Sequence, residues 1–398
     1  VDEQTLFVND FVLDGPVGDE AIGTVTKVDS NLVVVNLLAP ISATGDYTLS
    51  IEPGLYSTSG KQIDQNGNLI PGEALEDRYT YTFNRAEVPL VTITEDRVIG
   101  AGDTEDDGKR LLINGATVEM SGTHNYKSIE LVNGGKITHP AAANRESEKL
   151  HLTVGNMTVV DVESGITVSG RGITGEGVAI DNDAGGSYGG RGGENSIEPY
   201  GSYLEPLDFG TGASNDTSNR GGGAVRLTVT GQLDLNGYIR SNGVTDSNRG
   251  GSGGSVYLEV GTLSGTGSIS ADGSASSHSA TGGGGGGRIA IYYDTLSGFD
   301  LYSQVSAYGG WASKYTGAAG TVYLKNEITG EDELVIDNGA VGISYRETYI
   351  EGLVTAPINV TSSKIKFVGE TELQGDIAAT NSSISQSGTL TISGAYDF

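Results

Sequence analysis

The sequence contains no cysteine. That excludes a disulfide framework, a Cys-ligated zinc site, an iron–sulfur cluster and a cysteine nucleophile, without fixing the redox compartment. Methionine (2), tryptophan (1) and histidine (4) are scarce in 398 residues. The histidines, His124, His139, His151 and His278, stand at no metal-binding spacing and read as scattered surface or strand positions. Basic residues are few as well: 23 Lys and Arg against 51 Asp and Glu leave a net charge of −28. Such a charge argues against a nucleic-acid backbone or an anionic membrane as partner and suits an exported protein living among divalent cations. No apolar run approaches the ~18 residues of a transmembrane helix, so no membrane insertion is expected. Val1 is not a start methionine and no basic-then-apolar leader follows it. The expectation is a piece of a longer, processed chain whose other domains are its neighbours.

Glycine is what the chain has in excess: 63 residues, a little over twice the ordinary share of about 7%. Hydrophobic content is 36%, low, yet too regularly spaced for disorder. Helical signal is nearly absent; the only glycine-free run able to turn helically is 141–150, and it lacks a wide apolar stripe. Elsewhere short β-branched runs are cut by Gly, Asn and Asp, which predicts an all-β fold. In residues 1–87, Leu32-Val33-Val34-Val35-Asn36-Leu37, Tyr47-Thr48-Leu49-Ser50-Ile51 and Tyr79-Thr80-Tyr81-Thr82-Phe83 are strands spaced as in a β-sandwich. Residues 84–89 read as a hinge.

From residue 88 repetition appears. Gly223-Ala-Val225-Arg-Leu227, Gly254-Ser-Val256-Tyr-Leu258, Gly287-Arg-Ile289-Ala-Ile291 and Gly320-Thr-Val322-Tyr-Leu324 share one form, and their glycines step by 31, 33 and 33 residues. Second strands centred on Ile239, Ile269 and Val305 each reach a glycine four residues on: Gly243, Gly273 and Gly309. Thr167-Val168-Ser169 with Gly172 reads as an earlier copy. A period near 30 with short strands and glycine corners predicts a right-handed parallel β-helix over 88–398, stacking Val225, Val256, Ile289 and Val322 in one column. The competing fold is a sandwich with long glycine loops. The first turns fall at 111–114, 128–132, 151–154 and 158–162; the last fall at 334–336, 364–367 and 382–392. Residues 181–222 form one long insertion.

Several stretches carry a resemblance. They are Leu112-Ile-Asn-Gly-Ala-Thr-Val118, Ser128-Ile-Glu-Leu-Val-Asn-Gly134, Gly261-Thr-Leu-Ser-Gly-Thr-Gly-Ser-Ile-Ser-Ala-Asp-Gly273, the hexaglycine run with Arg-Ile-Ala-Ile-Tyr-Tyr293, and Gly317-Ala-Ala-Gly-Thr-Val-Tyr-Leu-Lys325. Residues 88–326 resemble a repeat region of very large secreted or surface bacterial proteins. The part holding Gly45-Asp-Tyr-Thr-Leu-Ser-Ile51, Asp64-Gln-Asn-Gly-Asn68 and Tyr79–Phe83 looks like a bacterial Ig-like domain. The resemblance implies a stalk or shell segment of an adhesin or polymorphic-toxin carrier, at the cell surface or outside it, and brings no catalytic motif.

The chemical motifs are sparse. Gly250-Gly-Ser252-Gly-Gly254 matches G-x-S-x-G, but a β run follows where that signature needs a helix. Gly170-Arg-Gly172-Ile-Thr-Gly175 matches G-x-G-x-x-G without a βαβ unit. The best site candidate is the loop from Asp64 through Asn66 and Asn68 to Ile70 and Glu73. Oxygen donors at relative positions 1, 3 and 5, with the Ile70 carbonyl at 7, suit calcium. Glu73 falls at position 10 rather than 12, and a polar Asn-Gly turn uses the same residues. Asp103-Thr-Glu105-Asp106-Asp107 and Asp181-Asn-Asp183 are weaker acidic candidates. Tyr292, Tyr293, Tyr302, Tyr308, Trp311 and Tyr315 crowd into 24 residues. Rings with polar tips suit a cell-surface glycan or protein, or simply pack. Carboxylates are scarce in 221–325, and Arg288 and Lys314 stand isolated, so no enzyme is expected. The alternative is a carbohydrate-active β-helix enzyme, a polysaccharide lyase or hydrolase, or a carbohydrate-binding module. A stacked acidic–basic cluster in one groove would favour it.

Overall fold

The computed structural model describes residues 7–27, 33–52, 55–56, 59, 61–62, 64, 69–73, 77–175, 183–194, 196–213, 217–245, 248–278, 281–344, 346–393 and 396–397. The protein is all-β, 49% strand and 2% helix. No helix among the described residues is long and apolar enough to cross a membrane, and 141–150 is irregular. The chain divides into two compact units, Val1–Pro89 and Leu90–Phe398.

In the first unit, Gly18–Glu20, Phe11–Gly15, Gly45–Ile51 and Tyr79–Arg85 form one antiparallel sheet in that order, and Ile22–Lys27 pairs with Val33–Leu37. Tyr47 is fully buried, stacks on Phe83 at 5.5 Å and donates to the Ala43 carbonyl at 2.7 Å. Tyr79 and Tyr81 face solvent although their strand alternates in sequence.

The second unit is built from two long parallel ladders. One sheet has twelve strands and the other seven, and each of the first seven passes of the chain contributes one strand to each. Val225 pairs with Val256, Val256 with Ile289 and Ile289 with Val322, so the 31- and 33-residue steps of the sequence are pairing offsets. A neighbouring column runs Leu152, Leu227, Leu258, Ile291, Leu324. The seven-stranded sheet faces them with Val118, Ile137, Ile166, Ile239, Ile269 and Val305. All lie in one apolar core, where truncating a single Leu or Ile to Ala costs about 2–5 kcal/mol.

Three sequence expectations change. The early copy is centred on Ile166, which pairs with Ile239, not on Val168. Both are buried, because a shift of two keeps a strand's face; the glycine four residues after Ile166 is Gly170, at φ +66. Residues 151–154 and 158–159 are parts of one strand, Leu150–Val159, and 160–162 fall in the turn after it. The last segments do not extend the first stack. Thr321–Asn326 pairs antiparallel with Asp332–Asp337, and later strands run parallel to the reversed one. Leu334 and Ile336 consequently bury against the opposite face of the twelve-stranded sheet, in a second core with Tyr323, Ile350, Ile358 and Phe367. That core is closed by a third sheet of Thr348–Val354, Lys364–Leu373 and Ser383–Ile392. Strand direction and the face that carries the core thus reverse together after Asn326.

Candidate functional site

The insertion shapes the middle of the second unit. Of its described residues, 183–194, 196–213 and 217–222, those around Tyr188 and from Tyr200 to Asp208 contact the outer face of the twelve-stranded sheet. Tyr188, fully buried, is 2.7 Å from the Ser255 hydroxyl, and Ser255 donates to the Asp208 carbonyl. Part of the insertion enters a glycine lattice. Along 282–287 successive N–H groups bond to Asp183, Tyr315, Ser274, Gly186, Ala318 and Ala271, at 2.7–3.0 Å. Direction repeats every third residue, the signature of an extended three-fold chain. The carbonyls of Gly282, Gly283 and Gly284 accept from Gly250, Gly193 and Gly310. The run is thus bonded to backbone on every side. A Cβ on Gly283, Gly284, Gly285 or Gly286 would fall inside the backbone of Gly310, Gly251, Gly190 or Ala307. This packing, rather than a turn, is why six glycines stand in a row.

Corner side chains form a second ladder beside it. Asn242 N–H donates to Ser169 Oγ, Asp272 N–H to Asn242 Oδ1 and Tyr308 N–H to Asp272 Oδ1, at 3.1, 2.8 and 2.7 Å. Burial raises the Asp272 pKa against these hydrogen bonds, which lower it.

In the loop proposed for calcium, Asp64 Oδ2 accepts the N–H of Leu69 at 2.5 Å, and Leu69 sits at φ +74. Ile70 is exposed, and the Glu73 N–H donates to Asp77. Asn66 and Asn68 lie outside the described residues, as do Asp181 and Asn182. Among the described residues no three His, Asp or Glu side chains converge as a metal site. In the second acidic candidate, Asp106 is buried; that raises its pKa, but Lys109 at 2.9 Å and Arg97 at 2.8 Å hold it below the usual range. Asp107 lies 3.5 Å from Nδ1 of the buried His124.

The aromatic candidates do not converge. Tyr292 and Tyr293 point to opposite faces, the first packing on the second core and the second on the first. Tyr292 stands in a row with Tyr257 at 5.5 Å and Tyr323 at 5.7 Å, and Arg226 covers Tyr257 at 4.7 Å. The row borders a groove of about 550 Å³ that also holds Glu259, Asp294 and Glu327. Burial first, then Glu327, Glu205 and Glu259, push Tyr292 up to about 12. Its hydroxyl donates to the Leu204 carbonyl, so the row pins the insertion to the sheet. Tyr302 donates to Glu333, Tyr308 lies against Gly339, Trp311 is half exposed, and Lys314 sits over Tyr315. Ser252 of the G-x-S-x-G match is buried and exchanges hydrogen bonds with the Thr211 backbone.

Sequence reasoning missed a cavity of about 520 Å³ between the insertion and the third sheet, holding Glu198, Tyr203, Arg288, Tyr349, Glu351 and Lys366. The signal was available: Ala224, Ser255, Arg288 and Thr321 occupy one register column, three small residues and one arginine.

No family model, curated protein or solved structure matches the chain.

Proposed function

We propose that the chain is a rigid, non-catalytic structural and adhesive segment of a large exported bacterial protein. In this reading the second unit is a right-handed parallel β-helix and the first an Ig-like sandwich stiffened by calcium at Asp64. The parent is of the adhesin or toxin-carrier kind. The observation that carries the reading is the glycine lattice. It spends the insertion on backbone hydrogen bonds to several passes at once, an arrangement that resists shear and offers no reactive side chain. Pulling single molecules of the full chain tests it. The second unit should open at a higher force than Gly285→Ala; equal and low forces would overturn the structural reading.

The cavity at Arg288 favours a second reading, a polysaccharide-active enzyme, because it gathers Glu198 and Glu351 with Arg288 and Lys366. Release of reducing or unsaturated ends from acidic or neutral polysaccharides, lost in Glu351→Gln, would establish it in place of the first.

A further inference from the structure

Arg288 is 3% exposed, and no carboxylate oxygen lies within 4.0 Å of it among the described residues. Its Nε donates to the Tyr200 carbonyl at 2.9 Å and its Nη1 to Thr321 Oγ1 at 3.1 Å. A guanidinium carries five N–H donors and stays charged, so these neutral acceptors satisfy a minority of it. The Tyr188 ring, 5.7 Å away, adds a weak contact. Burying a cation without a counter-charge costs several kcal/mol in a protein interior. Burial is the main influence on its pKa and pulls it down, with Tyr188 and Asp208 acting the other way. Lys366, on the third sheet, lines the same cavity and, among the described residues, has no carboxylate oxygen within 4.0 Å; its ammonium lies 5.4 Å from the Tyr349 ring. Two cations from different sheets therefore line one cavity, and among the described residues neither has a carboxylate oxygen within 4.0 Å.

We propose that this cavity binds an acidic saccharide through its carboxylate, held by Arg288 and Lys366. A planar fork suits a carboxylate better than a point charge does. The volume of about 520 Å³ is of ligand size, within the usual range of about 300–1,000 Å³, and far exceeds one inorganic ion. Tyr203 and Tyr349 supply rings for the apolar face of a sugar, and Glu198 and Glu351 supply acceptors for its hydroxyls. The same two glutamates repel a densely charged polyanion. The site is therefore suited to isolated carboxylates spaced by neutral sugars. This inference rests on the adhesive half of the reading above and leaves the structural half untouched.

The test is calorimetry on the full chain in 0.15 M salt, where a Debye length of about 8 Å screens the overall negative charge. The probes are a glucuronic acid–N-acetylglucosamine disaccharide, its carboxyl-reduced counterpart and inorganic phosphate. The acid should bind at least ~10-fold more tightly than the reduced form, one bidentate charge-assisted pair. Lys366→Glu should weaken the acid ~10-fold while the melting temperature holds. Arg288→Lys, where it folds, should abolish the preference for the acid. Equal binding of acid and reduced forms, phosphate binding as tight as the acid, or an unaltered Lys366→Glu would each overturn the proposal. Binding accompanied by cleavage would uphold it while replacing the non-catalytic function; no binding by a chain that still resists force would remove this inference alone.

Discussion

The ring nitrogen Nε2 of His139 accepts the backbone N–H of Ala224 at 3.1 Å, closing the base of the insertion across 85 residues of sequence. Its other nitrogen, Nδ1, is 2.6 Å from the Pro140 carbonyl and donates to it. The ring is fully buried, and burial outweighs the Pro140 hydrogen bond to lower its pKa to about 4. The folded protein thus keeps His139 neutral in a range where the unfolded chain, with an ordinary value near 6.5, takes up a proton. Stability should fall as pH drops from about 6.5 to about 4, by up to about 3 kcal/mol from this group, and level off below. Denaturant unfolding of wild type and His139→Gln across that range measures it. The glutamine variant should lose one proton's worth of slope; identical slopes would refute the assignment.

Glycine substitutions should split into two classes. Gly285→Ala places a methyl inside the Gly190 backbone and should destabilise by more than about 3 kcal/mol, since backbone on several sides cannot give way. Gly102→Ala meets nothing within 4 Å and has an ordinary φ. It should be neutral or stabilise by about 0.4–1 kcal/mol through the unfolded chain. Urea unfolding ranks the two. Equal effects would mean that glycine serves flexibility rather than close packing.

The column Val225, Val256, Ile289, Val322 was legible because identical spacing between glycine and β-branched residue repeats wherever a solenoid-like pass repeats. The neighbouring pair Ile166 and Val168 was not, since two buried residues two apart present the same face and only pairing distinguishes them. The reversal after Asn326 was hidden too. Leu334-Val335-Ile336 looks like one more apolar strand whichever side of the sheet it faces. Glycine runs betray close backbone approach but not which segments approach. The acidic loop at Asp64 stands out by the spacing of its oxygen donors, and the tyrosines between 292 and 315 by their crowding in sequence, and neither shows which side chains meet in space. Arg288 was set aside as isolated although its column neighbours Ser255 and Thr321 marked it as the odd member. A lone cation acquires chemistry only from Lys366 and Glu351 on a sheet that the sequence places far away.

Asp272 should be dispensable as a charge and indispensable as an acceptor. Burial raises its pKa above the unfolded value, so the folded protein holds a proton there more tightly than the unfolded chain does. Ionisation at neutral pH therefore costs stability, a cost absent below the ordinary value of about 3.8 and complete above the raised one. Asp272→Asn keeps an oxygen for the Tyr308 N–H and should equal or exceed wild type at pH 7. Asp272→Ala leaves that N–H and the Ser306 hydroxyl without their acceptor, and should cost about 1–3 kcal/mol. Thermal melts at pH 7 decide. Equal losses in both variants would show that the carboxylate's charge, not its acceptor oxygens, supports the ladder.

Calcium should stabilise the full chain through Asp64. Asp64 and Glu73 belong to a protein of net charge −28, and all the donors proposed there are oxygens, which a hard cation prefers. Asp64 closes the turn onto Leu69 through Oδ2, which holds its carboxylate within the loop. Extracellular sites of this kind bind at about 10⁻⁴–10⁻³ M. Binding to the folded state alone would add about 2.7 kcal/mol at a hundred-fold excess over Kd. Thermal unfolding of the full chain in millimolar calcium and in chelator measures this, with Asp64→Ala alongside. Wild type should melt higher in calcium and Asp64→Ala should not respond. Equal melting of wild type in both buffers would defeat the site. A shift surviving Asp64→Ala would move it, and Asp103→Ala would then test the loop at 103–107, where Asp106 is committed to Arg97 and Lys109 while the Asp103 carboxylate accepts the N–H of Glu105.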